Sequence, residues 1–269
     1  MVRLLAARGE RVRAMTRAPE RASVPDGVEV VRGDFDVPDT LERALKGVDA
    51  VLLLSAPGPE LPRHDLTLLG PARAAGVRRV VKLSAFGAGD TGSARVGAWH
   101  RPGEQAVQES GLAWTLLRPS AFASNTLGWA QRIRAGEPVP NTMLDGTLGV
   151  VDPRDVAAVA VEALVSAGHE GRVHTLTGPE LLSVPEQAAR LGRLLGRPVT
   201  TVEVPLEAAR EQMLGSGADP AFVEVVMDGQ EFVRAGRGAV LTGDVERVLG
   251  RPPRAFDVWA GDHRGAFIG

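Results

Sequence analysis

Short β-branched runs alternate with amphipathic helical stretches from residue 11 onward, which predicts a doubly wound α/β fold on a parallel sheet. Two further observations support that class. DAVLLLSAP (49–57) is continuously apolar, as a strand buried on both faces requires. Small polar residues follow successive strand ends, the place where open α/β sheets bind ligands.

Taken in order, RVRAMTR (11–17) and VEVVRGDF (28–35) read as strands. DTLERALKGVD (39–49) reads as a helix with Leu41, Ala44, Leu45 and Val48 on one face. The buried strand 49–57 follows, then a helix in LTLLGPARAAGV (66–77) and a strand in RRVVKLSAFG (78–87). A helix over Trp99 to Ser110 stops at Gly111 before the strand LAWTLLRPS (112–120). Residues 126–150 carry Pro and Gly turns, 151–168 become a helix, and RVHTLTG (172–178) gives one more strand. Beyond Gly178 the pattern turns helical, in VPEQAARLGRLLG and LEAAREQML, and closes on the turn-rich RPPRAFDVWAGDHRGAF. The expected organisation is a nucleotide-binding domain over 1–125 and 151–178, with a smaller, mostly helical substrate lobe over 126–150 and 179–269.

At 269 residues the chain can bury a sizeable core. A net charge of −2, with Arg scattered among Asp and Glu, provides no basic stripe, so direct nucleic-acid binding is not expected. The absence of Cys removes disulfides, thiolate nucleophiles and Cys-ligated zinc, and suits a reducing interior. No apolar run reaches the roughly 18 residues of a spanning helix and MVRLLAARGERVR has no signal-peptide pattern, so the expected place is the cytoplasm, without membrane contact. Lys46 and Lys82 are the only lysines.

The first unit of the pattern is incomplete. In a doubly wound nucleotide fold the first strand is central, and the turn after it carries glycines so that a pyrophosphate can meet backbone N–H groups at a helix start. Here VRLLAARGERVRAMTR reads as the second half of that unit: Val2, Leu5 and Ala6 form a helix face, Gly9 ends it, and a strand follows. Loss of a central strand would leave a gap of about 4.8 Å beyond normal pairing. The expectation is a natural start upstream of Met1; the alternative is direct pairing of the second and fourth strands, with loss of ordinary dinucleotide binding.

Several residues could carry chemistry. Thr16 and Arg17 follow a strand where an Arg accommodates a ribose 2′-phosphate, favouring NADP over NAD, although an Arg there can also be merely solvated. Asp34 and Phe35 form a GDF turn suited to an adenine edge, or an ordinary Asp turn. Ser55, Ala56 and Pro57, and then Ser84 and Phe86, lie past two consecutive strand ends; either Ser can also be a cap. Pro119, Ser120 and Phe122 hold the corresponding place after the next strand, beside Arg118, and could line a nicotinamide. His100 is placed for general acid work near neutral pH, with a structural His as the alternative. Asp152, Arg154 and Asp155 are assigned to capping a helix start. His64, His169, His174 and His263 have no metal-ligand spacing, so no metal site is expected.

Together RVRAMTR, GDFDVPDTLERALKGVDAVLLL, AAGVRRVVKLSA, SGLAWTLLRPSAFASN, VDPRDVAAVAVEAL, LTGPELLS and GRPPRAFDVWA resemble the NmrA-like atypical short-chain dehydrogenase/reductases, a Rossmann-like family, over nearly the whole chain. That resemblance implies an NAD(P)-binding protein in which Arg17 contacts the adenosine phosphate and Asp34 and Phe35 flank adenine. It further implies that Ser55 to Pro57 pass the ribose and Pro119 to Phe122 border the nicotinamide. Two departures stand out. The GxxGxxG turn is absent, and the Tyr-x-x-x-Lys pair of typical short-chain reductases falls at Val96 and His100.

The function expected is NAD(P)H-dependent reduction of a small quinone or carbonyl compound, with Ser84 and His100 at the chemistry and Phe86, Trp129 and Phe222 lining an apolar pocket. NADP is the cofactor expected, its binding being in doubt if the protein starts at Met1. Two other readings stay open. One is a non-catalytic NADP(H)-sensing or scaffold protein with a regulatory partner or a homodimer; the other is a cofactor-independent cyclase or isomerase in natural-product metabolism.

Overall fold

The computed structural model describes residues 1–89 and 97–268. Its first elements are α1 (Val2–Ala7), β1 (Arg13–Thr16), β2 (Glu29–Arg32), α2 (Pro38–Leu45), β3 (Ala50–Leu53), α3 (Leu61–Ala74), β4 (Arg79–Leu83), α4 (His100–Glu109) and β5 (Ala113–Pro119). There follow α5 (Ala130–Ala135), β6 (Val139–Asn141), β7 (Leu148–Gly149), α6 (Pro153–Val165), β8 (Arg172–Leu176), β9 (Leu181–Leu182), α7 (Val184–Leu195) and β10 (Thr201–Glu203). The chain closes with α8 (Leu206–Gly215), α9 (Pro220–Arg234), α10 (Asp244–Leu249) and α11 (Phe256–Asp262).

The main sheet has the order β3-β4-β5-β8, with β3, β4 and β5 parallel in register, Val51 beside Val80 and Val80 beside Trp114. This is the Rossmann-like arrangement that the alternation predicts. Among the described residues β1 pairs with β2, in parallel, and not with β3, so the direct pairing of the second and fourth predicted strands does not form. Pairing across that position would need β1 to shift by a strand width, and Met15 is instead held by packing over Gly33, whose missing Cβ makes room for the Met15 thioether.

Two compact units divide the chain. The first comprises Met1–Ser84, Trp99–Leu117 and Ala157–His174; the second comprises Ala85–Ala98, Arg118–Val156 and Thr175–Gly269. The first is built on Leu41 and Leu45 of α2, Leu53 of β3, Leu68, Leu69 and Ala72 of α3, Val80 of β4, Val107 of α4 and Leu116 of β5. Each of the larger of these side chains contributes about 2 kcal/mol by leaving water. Pro38 opens α2 with the fixed φ a first helical turn accepts. α3 starts earlier than the apolar pattern suggested, at Leu61, because Pro62 opens it, and it runs through Pro71. α4 ends where Gly111 was expected to end it, with φ +76° just past the helix.

In the second unit Ala123, Ile133, Val139, Val150, Leu182, Leu191, Phe256, Trp259 and Phe267 form the core. Two expectations change here. Residues 126–150 contain α5 as well as turns, and the turn-rich tail contains α11, which buries Phe256, Trp259 and Ala260 on one face. Their i, i+3, i+4 spacing is helical, but Pro, Gly and Asp on either side hide it from a reading of composition.

Candidate active site

The carboxyl ends of β3 and β4 in the first unit bear a buried polar cluster. Lys82, in the middle of apolar β4, forms an ion pair with Asp65 of α3, and both side chains are at most 1% exposed. The other oxygen of Asp65 accepts a hydrogen bond from Ser55 Oγ at 2.7 Å. Ser84, just past β4 and buried, donates from Oγ to Glu104 of α4 at 2.5 Å. His100, one turn earlier on α4, has a buried Nδ1 with no hydrogen-bond partner among the described residues. Burial first, and then the charge of Lys82, push its pKa from 6.5 down to about 4 against the opposing pull of Glu104.

Ser55, Ser84 and His100, all expected from the sequence, are thereby gathered with three residues that sequence reading missed: Asp65, Lys82 and Glu104. The one signal for them was Lys82, a rare lysine inside a strand otherwise buried on both faces. His100 differs from expectation in charge. Burial and the Lys82 cation both oppose an imidazolium at this position, which holds the ring in its neutral form at neutral pH. Val96, the other position of the expected Tyr-x-x-x-Lys comparison, lies outside the described residues.

The remaining first-unit candidates flank β1, β2 and β3. Arg17 is exposed after β1 and carries no ion pair among the described residues, while the Thr16 hydroxyl accepts from the N–H of Ala18 at 3.3 Å. Asp34 makes an Asp turn, its Oδ1 accepting from the N–H of Asp36 at 3.0 Å. Phe35 stacks on His64 with ring centroids 5.2 Å apart, and Asp36 pairs with Arg63. Ala56 and Pro57 are exposed past β3.

In the second unit Pro119 and Ser120 are buried, and Ser120 Oγ is a second buried polar atom with no partner among the described residues. Phe122 bridges to Val151. Phe86 packs edge-on against Phe232, over which Arg237 lies 4.8 Å from the ring centroid. Trp129 packs on the core of this unit, and the N–H of Phe222 is bound by Asp219, the cap of α9. Asp155 is wholly buried and holds the guanidinium groups of Arg251 and Arg254, while Asp152 holds Arg154, so this acidic group is structural. Among the described residues no three His, Asp or Glu side chains converge as a metal site would require, and no helix is long and apolar enough to cross a membrane.

A parallel α/β sheet with polar groups gathered at its strand ends defines a nucleotide-binding protein of the Rossmann-like class. Residues 1–167 match the model of the NAD(P)H-binding family, and the chain belongs to that family. It is 42% identical over 258 residues to a (4-alkanoyl-5-oxo-2,5-dihydrofuran-3-yl)methyl phosphate reductase of Streptomyces griseus, covering 95% of this chain and 90% of the relative. An NAD(P)H azoreductase of Xenophilus azovorans is 36% identical over 241 residues, covering 90% of this chain and 84% of that one. The fold is similar to that of the NADPH-dependent quinone oxidoreductase QOR2 of Escherichia coli, solved with NADPH, at a TM-score of 0.82 and 23% identity over 94% of this chain and 90% of that one.

Proposed function

We propose that the protein is an NAD(P)H-dependent oxidoreductase that reduces a small quinone or carbonyl compound and works in the cytoplasm. The observation that carries this reading is the polar cluster at the carboxyl ends of β3 and β4, with the orphaned Nδ1 of His100 at its edge, in a chain of the NAD(P)H-binding family. Relatives named as reductases of a dihydrofuranone phosphate and of azo compounds support an electron-poor, conjugated acceptor.

Taken separately, each unit has residues that suit part of a nicotinamide dinucleotide. Arg17, exposed and without an ion pair among the described residues, suits a 2′-phosphate, which favours NADP; Phe35 and Asp34 suit the adenine; Ser55 suits a ribose hydroxyl. In the second unit the unpartnered Ser120 Oγ, with Pro119 and Phe122, suits the carboxamide end. The sequence has no GxxGxxG turn, so no residue is assigned to the pyrophosphate.

The bound dinucleotide supplies a hydride. The chain's own part is to place the acceptor and to meet the charge that develops on it. A neutral imidazole still carries one N–H, so His100 would hydrogen-bond the acceptor oxygen as negative charge grows there, and the proton that completes the product would come from solvent water. Ser84 is oriented by Glu104 beside it; within the second unit, the edge-on pair of Phe86 and Phe232 is suited by itself to packing on a flat molecule.

NADPH titration by calorimetry, followed by NADPH oxidation with a panel of quinones, enones, aldehydes and azo compounds, tests this reading. Binding with turnover of at least one class is expected. Tight binding without turnover would instead establish the cofactor-sensing alternative, and turnover without nucleotide the cofactor-independent one. Replacing Arg17 by Ala is expected to weaken NADPH binding about 10- to 100-fold, the range for loss of one charge-assisted hydrogen bond, and to leave NADH binding unchanged.

A further inference from the structure

We propose that Lys82 and Asp65 are positioning residues whose buried ion pair sets the hydrogen-bond polarity of Ser55 and seats α4, so that Ser55 accepts from a ligand hydroxyl. The inference rests on the oxidoreductase reading for the identity of that ligand, a ribose of the dinucleotide.

An ion pair with both side chains at most 1% exposed is costly, since hydrophobic residues of similar volume are often at least as stabilising. Stability alone is thus a poor reason to bury it. What the pair does locally is specific. An ionised carboxylate can only accept, and one Asp65 oxygen is committed to Lys82 while the other takes the Ser55 Oγ–H. Ser55 has one hydroxyl proton, and Asp65 holds it. Toward a ligand, Ser55 Oγ is left with lone pairs only, which match a donating hydroxyl and repel an anionic phosphate oxygen.

Gly103 extends the same device to α4. A Cβ at Gly103 would overlap the Asp65 carboxylate, so glycine lets the α4 backbone close onto this carboxylate. His100 is one turn before Gly103, and the charged groups acting on it are Lys82 from β4 and Glu104 from α4 itself, with Asp65 of α3 paired to Lys82. The cation beside a ring already desolvated opposes its protonation. One buried pair therefore orients a serine at the end of β3 and adds its cation to the burial that already opposes protonation of a histidine on α4.

The test uses the full chain with Lys82→Met/Asp65→Leu, which removes both charges and the Ser55 acceptor, alongside Ser55→Ala and the triple variant. NADPH affinity is expected to fall about tenfold in the double variant and in Ser55→Ala, with no further loss in the triple. His100, followed by NMR of its ring protons, is expected to titrate at higher pH in the double variant than in the wild type. Losses that simply multiply, or an unchanged His100 titration in a folded double variant, would overturn the proposal. Should Leu at 65 prevent folding, Lys82→Met/Asp65→Asn preserves shape and the Ser55 acceptor: His100 must still titrate higher while NADPH affinity stays near wild type. A wild type that reduces no acceptor removes the oxidoreductase reading alone, because the His100 titration still decides the role of the pair.

Discussion

At the scale of single residues, His100 shows how far a sequence can go. Its place on the predicted helix before the strand 112–120 made it a candidate, yet its protonation is set first by burial and then by Lys82, 18 positions away, neither of which a single sequence displays. The sign of the consequence is definite. A His whose folded pKa lies at about 4, against 6.5 when unfolded, takes up protons in the unfolded state first, so it costs stability as pH falls from 6.5 toward 4. Replacing His100 by Asn should remove that penalty: between pH 7 and pH 4.5 the variant is expected to lose about 2 to 3 kcal/mol less stability than the wild type by urea denaturation. Equal losses would show that the ring is protonated as readily in the folded protein as in the unfolded chain. Arg17 is the contrasting case. Its exposure after β1 was legible from strand position alone, and its proposed role needs no partner from elsewhere in the chain.

At the scale of elements, apolar period and end signals account for most boundaries. The face of α2 predicted from Leu41, Ala44 and Leu45 is the face it buries, and α4 stops before the glycine that was expected to stop it. α7 adds a signal that had no place in the initial reading. Ser183 accepts from the N–H of Glu186, whose carboxylate accepts from the backbone N–H of Ser183, a reciprocal capping box. Ser183→Ala is expected to cost about 1 kcal/mol, read as a lower midpoint in thermal or urea unfolding; no change in the midpoint would mean that the second-unit core alone holds this helix start. α11 was passed over because its flanks are rich in Pro and Gly, and it is the burial of Trp259 against Phe256 and Phe267, contributed by tertiary packing, that makes a helix of so short a segment.

At the scale of the whole molecule, the separate pairing of β1 with β2 is the feature with most consequence. A two-stranded sheet has little independent stability, and all four residues of β1 are only half-buried, whereas Val80, Val81, Leu116 and Leu117 in β4 and β5 are essentially inaccessible. Hydrogen exchange followed by mass spectrometry is therefore expected to show amides of 13–16 and 29–32 exchanging through local opening well before those of 79–83 and 113–117. Equal protection would mean that the two sheets open as one. The sequence by itself determined the fold class, the order of strands and helices, and the strand ends at which small polar residues lie, because alternation, apolar runs and turn residues are local properties written in neighbouring positions. Only the tertiary structure decided that Asp65, Lys82 and Glu104 join Ser55, Ser84 and His100, that burial opposes protonation of the His100 ring, and that β1 pairs with β2 and not with β3. Each of these depends on distance and burial between residues far apart in the chain, and electrostatics in a low-dielectric interior responds to that spacing rather than to sequence order.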